Sequence, residues 1–155
     1  TWFECKIRYE KTMENGMNKK VTEPYLVDAL SFTEAEARII EEMTPFISGE
    51  FTVSDIKRAN YSELFPCEEE AADRWFKCKL VFITLDEKSG AEKKTSTQVL
   101  VQAADLRDAV KKLDEGMKGT MADYQIASVA ETAIMDVYPY SAEPDDKRPE
   151  ATIRP

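Results

Sequence analysis

The 155-residue chain contains no histidine. That absence removes the commonest general base, the commonest transition-metal ligand and the simplest switch near neutral pH. Its three cysteines are widely spaced and include no CxxC pair, so neither a zinc site nor a disulfide framework is suggested. Glycine numbers only five. No GxGxxG, GxxxxGK or GxSxG spacing occurs, which leaves no phosphate-cradling loop and no nucleophile elbow. No run of about 18 apolar residues exists, so no membrane-spanning helix is expected. No apolar leader with a charged start and a small-residue cleavage site opens the sequence. Thiols without a disulfide pattern make a reducing cytoplasm the expected setting.

What is present is mostly acid. Thirty acidic against 21 basic side chains give a net charge of −9, and long-range repulsion makes such a chain a poor generic binder of phosphate backbones. The excess is concentrated at 67–74, where Glu68, Glu69, Glu70 and Asp73 face Arg74 alone. A short solvated helical turn is the expectation there. The hydrophobic fraction of 43% suffices for a buried core.

The dominant signal is a duplication. Trp2, Phe3, Cys5 and Lys6 recur as Trp75, Phe76, Cys78 and Lys79, and residues 2–66 align with 75–139 through one insertion and one deletion. In the first copy Phe3, Cys5, Ile7 and Tyr9 alternate with Trp2, Glu4, Lys6 and Arg8, the period of a strand with one buried face. Asn15-Gly16 signals a hairpin turn, and a return strand runs from Val21 to Ala29. Pro24 cannot donate to a ladder, which points to a sheet edge or a strand start. Ser31 and Glu34 have capping-box spacing, with the Glu carboxylate expected to reach the Ser31 backbone. The helix they open carries a stripe of Phe32, Ala35, Ile39 and Met43 and stops at Thr44-Pro45. One long strand with an irregularity near Ala59-Asn60 is expected over Phe51 to Phe65. The second copy repeats the programme with Phe76, Cys78, Leu80 and Phe82, a turn at Ser89-Gly90, a cap at Asp105 and Asp108, and a stripe of Leu106, Ala109, Leu113 and Met117. Tyr124 to Tyr138 answers Phe51 to Phe65.

These elements imply an α+β fold: a tandem duplication of a strand-strand-helix-strand unit, with antiparallel sheets, one helix each, and a pseudo-two-fold. The expected organisation is a first ββαβ repeat at 1–66, an acidic joint at 67–74, a second ββαβ repeat at 75–140 and a Pro-rich tail at 141–155. Strand order 2-1-3 places the WFxCK strand centrally. A unit of this size alone would bury only about 60% of its unfolded-chain surface, so the repeats are expected to pack as one body, with two separate beads as the alternative.

No catalytic constellation emerges. Carboxylates are plentiful, but Asp86-Glu87 falls in a turn and Glu41-Glu42 on a helical flank, where a solvated surface is the simpler reading. The chain is therefore read as non-enzymatic, with no cofactor and no metal. The most informative polar feature is the outer face of the two central strands: Trp2, Lys6 and Arg8 in one copy, and Trp75, Lys77 and Lys79 in the other, with Lys19-Lys20 and Lys93-Lys94 near the hairpin tips. Rings stack bases at about 1–3 kcal/mol each, and cations follow a phosphate backbone. The competing reading makes the Trp rings lids over the sheet, and it is favoured because Glu4 and Glu10 dilute the basic face and Val81, Ile83 and Leu85 make its second copy apolar.

The segments WFECKIRYEKT, VTEPYLVDALSFTEAEARI and TMADYQIASVAETAIMDVYPY resemble an uncharacterised domain-of-unknown-function family of anaerobic gut bacteria and their phages, over about the first 140 residues. The resemblance implies a small cytoplasmic protein, with a lean towards replication, recombination or host-takeover accessory roles. Two readings follow. One is a non-catalytic binding or scaffold module that contacts a protein partner or a second copy of itself. The other is a single-stranded nucleic-acid-binding accessory protein of phage or mobile-element origin.

Overall fold

A computed structural model describes residues 1–120 and 123–139; the expected tail at 141–155 lies outside them. In chain order the elements are β1 (Trp2–Thr12), β2 (Asn18–Asp28), α1 (Phe32–Met43), β3 (Phe51–Ala59), β4 (Glu63–Phe65), β5 (Arg74–Leu85), β6 (Glu92–Ala103), α2 (Leu106–Gly116), β7 (Asp123–Glu131) and β8 (Val137–Tyr138). The fold is α+β, with two four-stranded sheets and one helix on each.

The chain divides into two compact units. Among the described residues, unit 1 comprises 1–59 and 136–139, and unit 2 comprises 60–120 and 123–135. In unit 1 the strand order is β3-β1-β2-β8, and in unit 2 it is β4-β6-β5-β7. Each WFxCK strand is therefore central, and β1 and β2 pair antiparallel from Trp2 opposite Asp28 to Thr12 opposite Asn18. Gly16, at φ +82°, closes the first hairpin, and Gly90, at φ +73°, the second. Both sit in the left-handed region that glycine enters without a Cβ clash.

The duplication extends to irregularities. In the β1–β3 ladder the register shifts between Lys6 and Ile7, leaving Ser54 as the extra residue. The β5–β7 ladder shifts between Lys79 and Leu80, leaving Ala127. Each is a β-bulge at the same place in its copy, which bends the outer strand.

The single strand expected over 51–65 is two strands in different units. After β3 the chain breaks at Asn60-Tyr61. The Ser62 N–H and hydroxyl then both donate to the Gln98 carbonyl, at 2.8 and 3.1 Å, which steers the chain onto unit 2. There β4 pairs parallel with β6, Leu64 opposite Leu100 and Phe65 opposite Val101. The second copy does the converse. Thr132 donates its N–H and its hydroxyl to the Trp75 carbonyl, each at 2.9 Å, and β8 then pairs parallel with β2, Val137 opposite Leu26 and Tyr138 opposite Val27. These registers are equivalent, so each repeat completes the other's sheet with its last strand. Each repeat is thus ββαββ by sequence, and its boundaries differ from those of the compact units. Pro24 lies within β2 opposite Lys6; because β8 covers only Leu26 and Val27, no strand among the described residues adjoins the edge beside it.

Both helices bury part of the expected stripe on the sheet. Ala35, Ile39 and Met43 join Phe3, Cys5, Ile7, Val27 and Ala29 in the unit 1 core, while Leu113 meets Cys78, Leu80, Val99 and Val101 in unit 2. Phe32 and Leu106, expected in the stripe, are instead exposed. Each is the first residue of its helix. The Phe32 ring still packs edge-on against Phe3 at 4.9 Å, with the Arg58 guanidinium 5.6 Å from its centre. The caps form with one change. Ser31 Oγ accepts the Glu34 N–H at 3.1 Å, but the Glu34 carboxylate reaches one residue further back than expected, to the Leu30 N–H at 2.7 Å. Asp105 and Asp108 repeat this geometry, with Asp108 accepting from Ala104 at 2.9 Å.

The strand crossing into each sheet is followed by a clip from that sheet's helix. Arg38 of α1 donates to the carbonyls of Asp28 and Pro139. At the same position of α2, Lys112 donates to Asp108 and to Glu69, each at 2.8 Å. Asp108 and Glu69 are both held below the ordinary carboxylate range, chiefly by that lysine. One acid of the joint is thus a partner of α2 and not merely solvated.

Candidate interaction surface

The outer faces of the central strands do not behave alike. In unit 1, Trp2 and Lys6 are half-buried and Arg8 is exposed. Their charge is locally compensated, because Lys6 lies opposite Asp55 and Lys57 pairs with Glu4 at 3.8 Å. In unit 2, Trp75 is only 4% exposed and Leu100, opposite Lys77, is fully buried. Lys77, Lys79 and Lys94 remain exposed on this face, and none forms an ion pair among the described residues. The face therefore carries cations, but the Trp75 ring has no free surface on which to stack a base.

The core face of unit 1 holds a polar cluster. Glu23 accepts hydrogen bonds from the hydroxyls of Tyr9 (2.9 Å) and Tyr25 (3.3 Å), and Tyr25 stacks on Tyr138 with centroids 6.3 Å apart. Burial, then the carboxylates of Asp136 and Glu42, push the Tyr138 hydroxyl up to about 12. Glu42 is itself raised by burial. The aligned positions of unit 2 are Phe82, Thr97, Val99, Phe65 and Gly116, where Phe65 packs so close that a Cβ on Gly116 would lie 2.8 Å from its ring.

The buried thiols are inert. Burial pushes Cys5 and Cys78 up to about 11, which leaves almost no thiolate at neutral pH. Among the described residues, no three Cys, Asp or Glu side chains gather into a metal-binding group. No helix among them is long and apolar enough to cross a membrane.

The surface that sequence reasoning missed is the outside of α1. Thr33, Ala37, Ile40 and Thr44 are all exposed, and steps of four, three and four residues align them along one seam. The Thr44 hydroxyl is turned back onto the Ile40 carbonyl at 2.7 Å. Leu30 and Phe46 flank the helix at its two ends, each 77% exposed. Leu30 occupies the position from which a hydrophobic staple would fold onto the fourth helical residue, but that residue is the short, buried Ala35. A Phe46 N–H bond to the Met43 carbonyl, 3.0 Å, holds Phe46 next to the helix end. The aligned face of α2 reads Arg107, Lys111, Asp114 and Lys118, the composition of a solvated helix. Setting the two copies side by side is the signal that would have found the seam.

Residues 1–140 match the family described as "Domain of unknown function (DUF4494)". The chain belongs to this family. The match spans both repeats and ends one residue past the described part of the crossing segment that contains β8, so the strand-exchanged pair of units lies inside the family's extent. No curated protein matches the chain.

Proposed function

We propose that the protein is a non-catalytic binding module, cytoplasmic, that acts through protein–protein contacts made by the outer surface of α1. The observation that carries this reading is the pair Leu30 and Phe46, each 77% exposed, bracketing a helix that buries Ala35, Ile39 and Met43 on its inner side. Solvent-facing apolar side chains grouped around one element mark interaction sites more often than scattered ones do. The matching surface of α2 carries charges, so the fold itself does not require the apolar one.

The test is a photo-crosslinking residue placed at position 40, with position 114 of α2 as the reference, in extracts of the source cells. A discrete adduct from position 40 and none from 114 is expected. No adduct at 40, or equal adducts at both, would overturn the reading.

Single-stranded nucleic acid is the second reading, supported by the exposed Lys77, Lys79 and Lys94 on one face of unit 2, which form no ion pair among the described residues. With no stacking ring available, binding would be electrostatic and steeply salt-dependent. A labelled oligonucleotide should change anisotropy at low salt and lose the change in Lys79→Glu; an unchanged signal at low salt ends the idea.

A further inference from the structure

We infer that the outside of α1 receives a basic amphipathic helix from a partner protein, packed along the seam of Thr33, Ala37, Ile40 and Thr44. This rests on the proposed protein-contact role of the same surface and names the chemistry of the partner.

The seam has the spacing by which two helices pack side by side. Residues 33, 37, 40 and 44 fall at alternating a and d positions of a heptad, which face a partner helix in 3-4 packing. Ala37 and the threonines are short, so they allow close approach of a second backbone, and Ile40, 41% exposed, provides the central apolar contact. Leu30 and Phe46 add exposed apolar side chains just before and just after the helix.

The flanks decide what kind of helix fits. In the same heptad Glu36 occupies the g position and Glu41 the e position, the two places where interhelical ion pairs set partner choice. Both are exposed, and neither forms an ion pair among the described residues. A second copy of α1 would bring Glu against Glu in either orientation: g meets e′ in a parallel pair, and like positions meet in an antiparallel one. Like charges at such positions are repulsive. The side chains that satisfy these flanks are Lys or Arg at the partner's e and g positions. The equivalent flanks of α2 are Val110 and Glu115 around a charged seam, so unit 2 is a natural internal control.

The experiment uses the full chain and two designed helical peptides with Leu at a and d, one with Lys and one with Glu at e and g. Binding is followed by anisotropy of the labelled peptide. The Lys peptide should bind and the Glu peptide should not. An Ala37→Lys/Ile40→Lys double variant, which gives α1 the character of α2, should weaken binding at least tenfold, while Asp114→Lys leaves it unchanged. Since Ala37 and Ile40 are exposed, the variant should melt like the parent chain. Glu36→Lys/Glu41→Lys should reverse the preference to the Glu peptide. Equal binding of both peptides, binding of neither, or sedimentation showing that the chain pairs through α1 with itself would overturn the inference. A crosslink at position 40 without peptide binding would overturn this inference alone and leave the protein-contact reading standing.

Discussion

Replacing Phe65 by Ala tests the strand exchange directly, because the residue belongs to the first sequence repeat and packs in the unit built from the second. Phe65 is a half-buried ring against the Cys78, Leu80, Val99 and Val101 core. An aromatic side chain offers about 150–250 Å² for burial; half of that, at about 25 cal/mol per Å², gives about 2–3 kcal/mol. β4 is only three residues long and pairs with β6 alone. The loss should therefore appear as local opening and not as global unfolding. At a tenfold change per 1.4 kcal/mol, hydrogen exchange in segments 60–66 and 98–102 should accelerate about 30- to 140-fold. Segment 24–28 should be unaffected. Tyr138→Ala is the mirror experiment: it should accelerate exchange at Leu26, whose N–H bonds the Asp136 carbonyl at 3.0 Å, and spare 98–102. Acceleration of 24–28 by Phe65→Ala, with 98–102 protected, would refute the exchanged topology.

Three further outcomes follow from features of single residues. Ser31→Ala removes the hydroxyl that caps α1 and should lower the denaturant midpoint by an amount equivalent to about 1 kcal/mol. Glu42 has a raised folded-state pKa, caused first by burial and then by Glu41 and Asp136 against the lowering effect of Arg38; its favourable contribution is fully present below the unfolded value and is lost as pH rises through the folded one. Glu42→Gln mimics the protonated form, so it should raise the melting temperature at about pH 7, with the difference vanishing below about pH 4; a lower melting temperature at neutral pH would contradict this. In a thiol-reagent assay on the folded chain, half-buried Cys67 should react first, while buried Cys5 and Cys78 stay protected until unfolding; fast reaction of all three would contradict their placement.

Much of the fold is legible in the sequence because local chemistry and burial agree there. Alternation in WFECKIRY, glycines where the hairpins turn, and Ser31 and Asp105 before periodic stripes each specify an element independently of its neighbours. The exchange of β4 and β8 is not legible. Leu64-Phe65 and Val137-Tyr138 look like continuations of the strands before them, and short apolar runs do not say which sheet they join. The crossings are registered instead by bonds between residues far apart in sequence, the Ser62 hydroxyl on the Gln98 carbonyl and the Leu26 N–H on the Asp136 carbonyl. The Trp rings teach a similar lesson. Period two puts Trp75 on the polar face, yet its burial depends on tertiary packing that no pattern within β5 encodes. The α1 seam was readable only by comparing the two copies, because Thr33 and Ala37 are unremarkable until Arg107 and Lys111 stand beside them.

The reciprocal placement of β4 and β8 has a consequence for synthesis. A chain emerging from the ribosome makes β1, β2, α1 and β3 first, yet the strand that covers Leu26 and Val27 is encoded more than a hundred residues later. Unit 1 must therefore wait, with part of the β2 edge open, until translation has passed Tyr138. The first repeat's β4, conversely, is made before the sheet that receives it exists. A nascent chain that stops early is left with an unpaired strand edge of the kind that recruits other chains. Only a chain extended past β8 can close both sheets, which couples completion of the first unit to completion of the polypeptide.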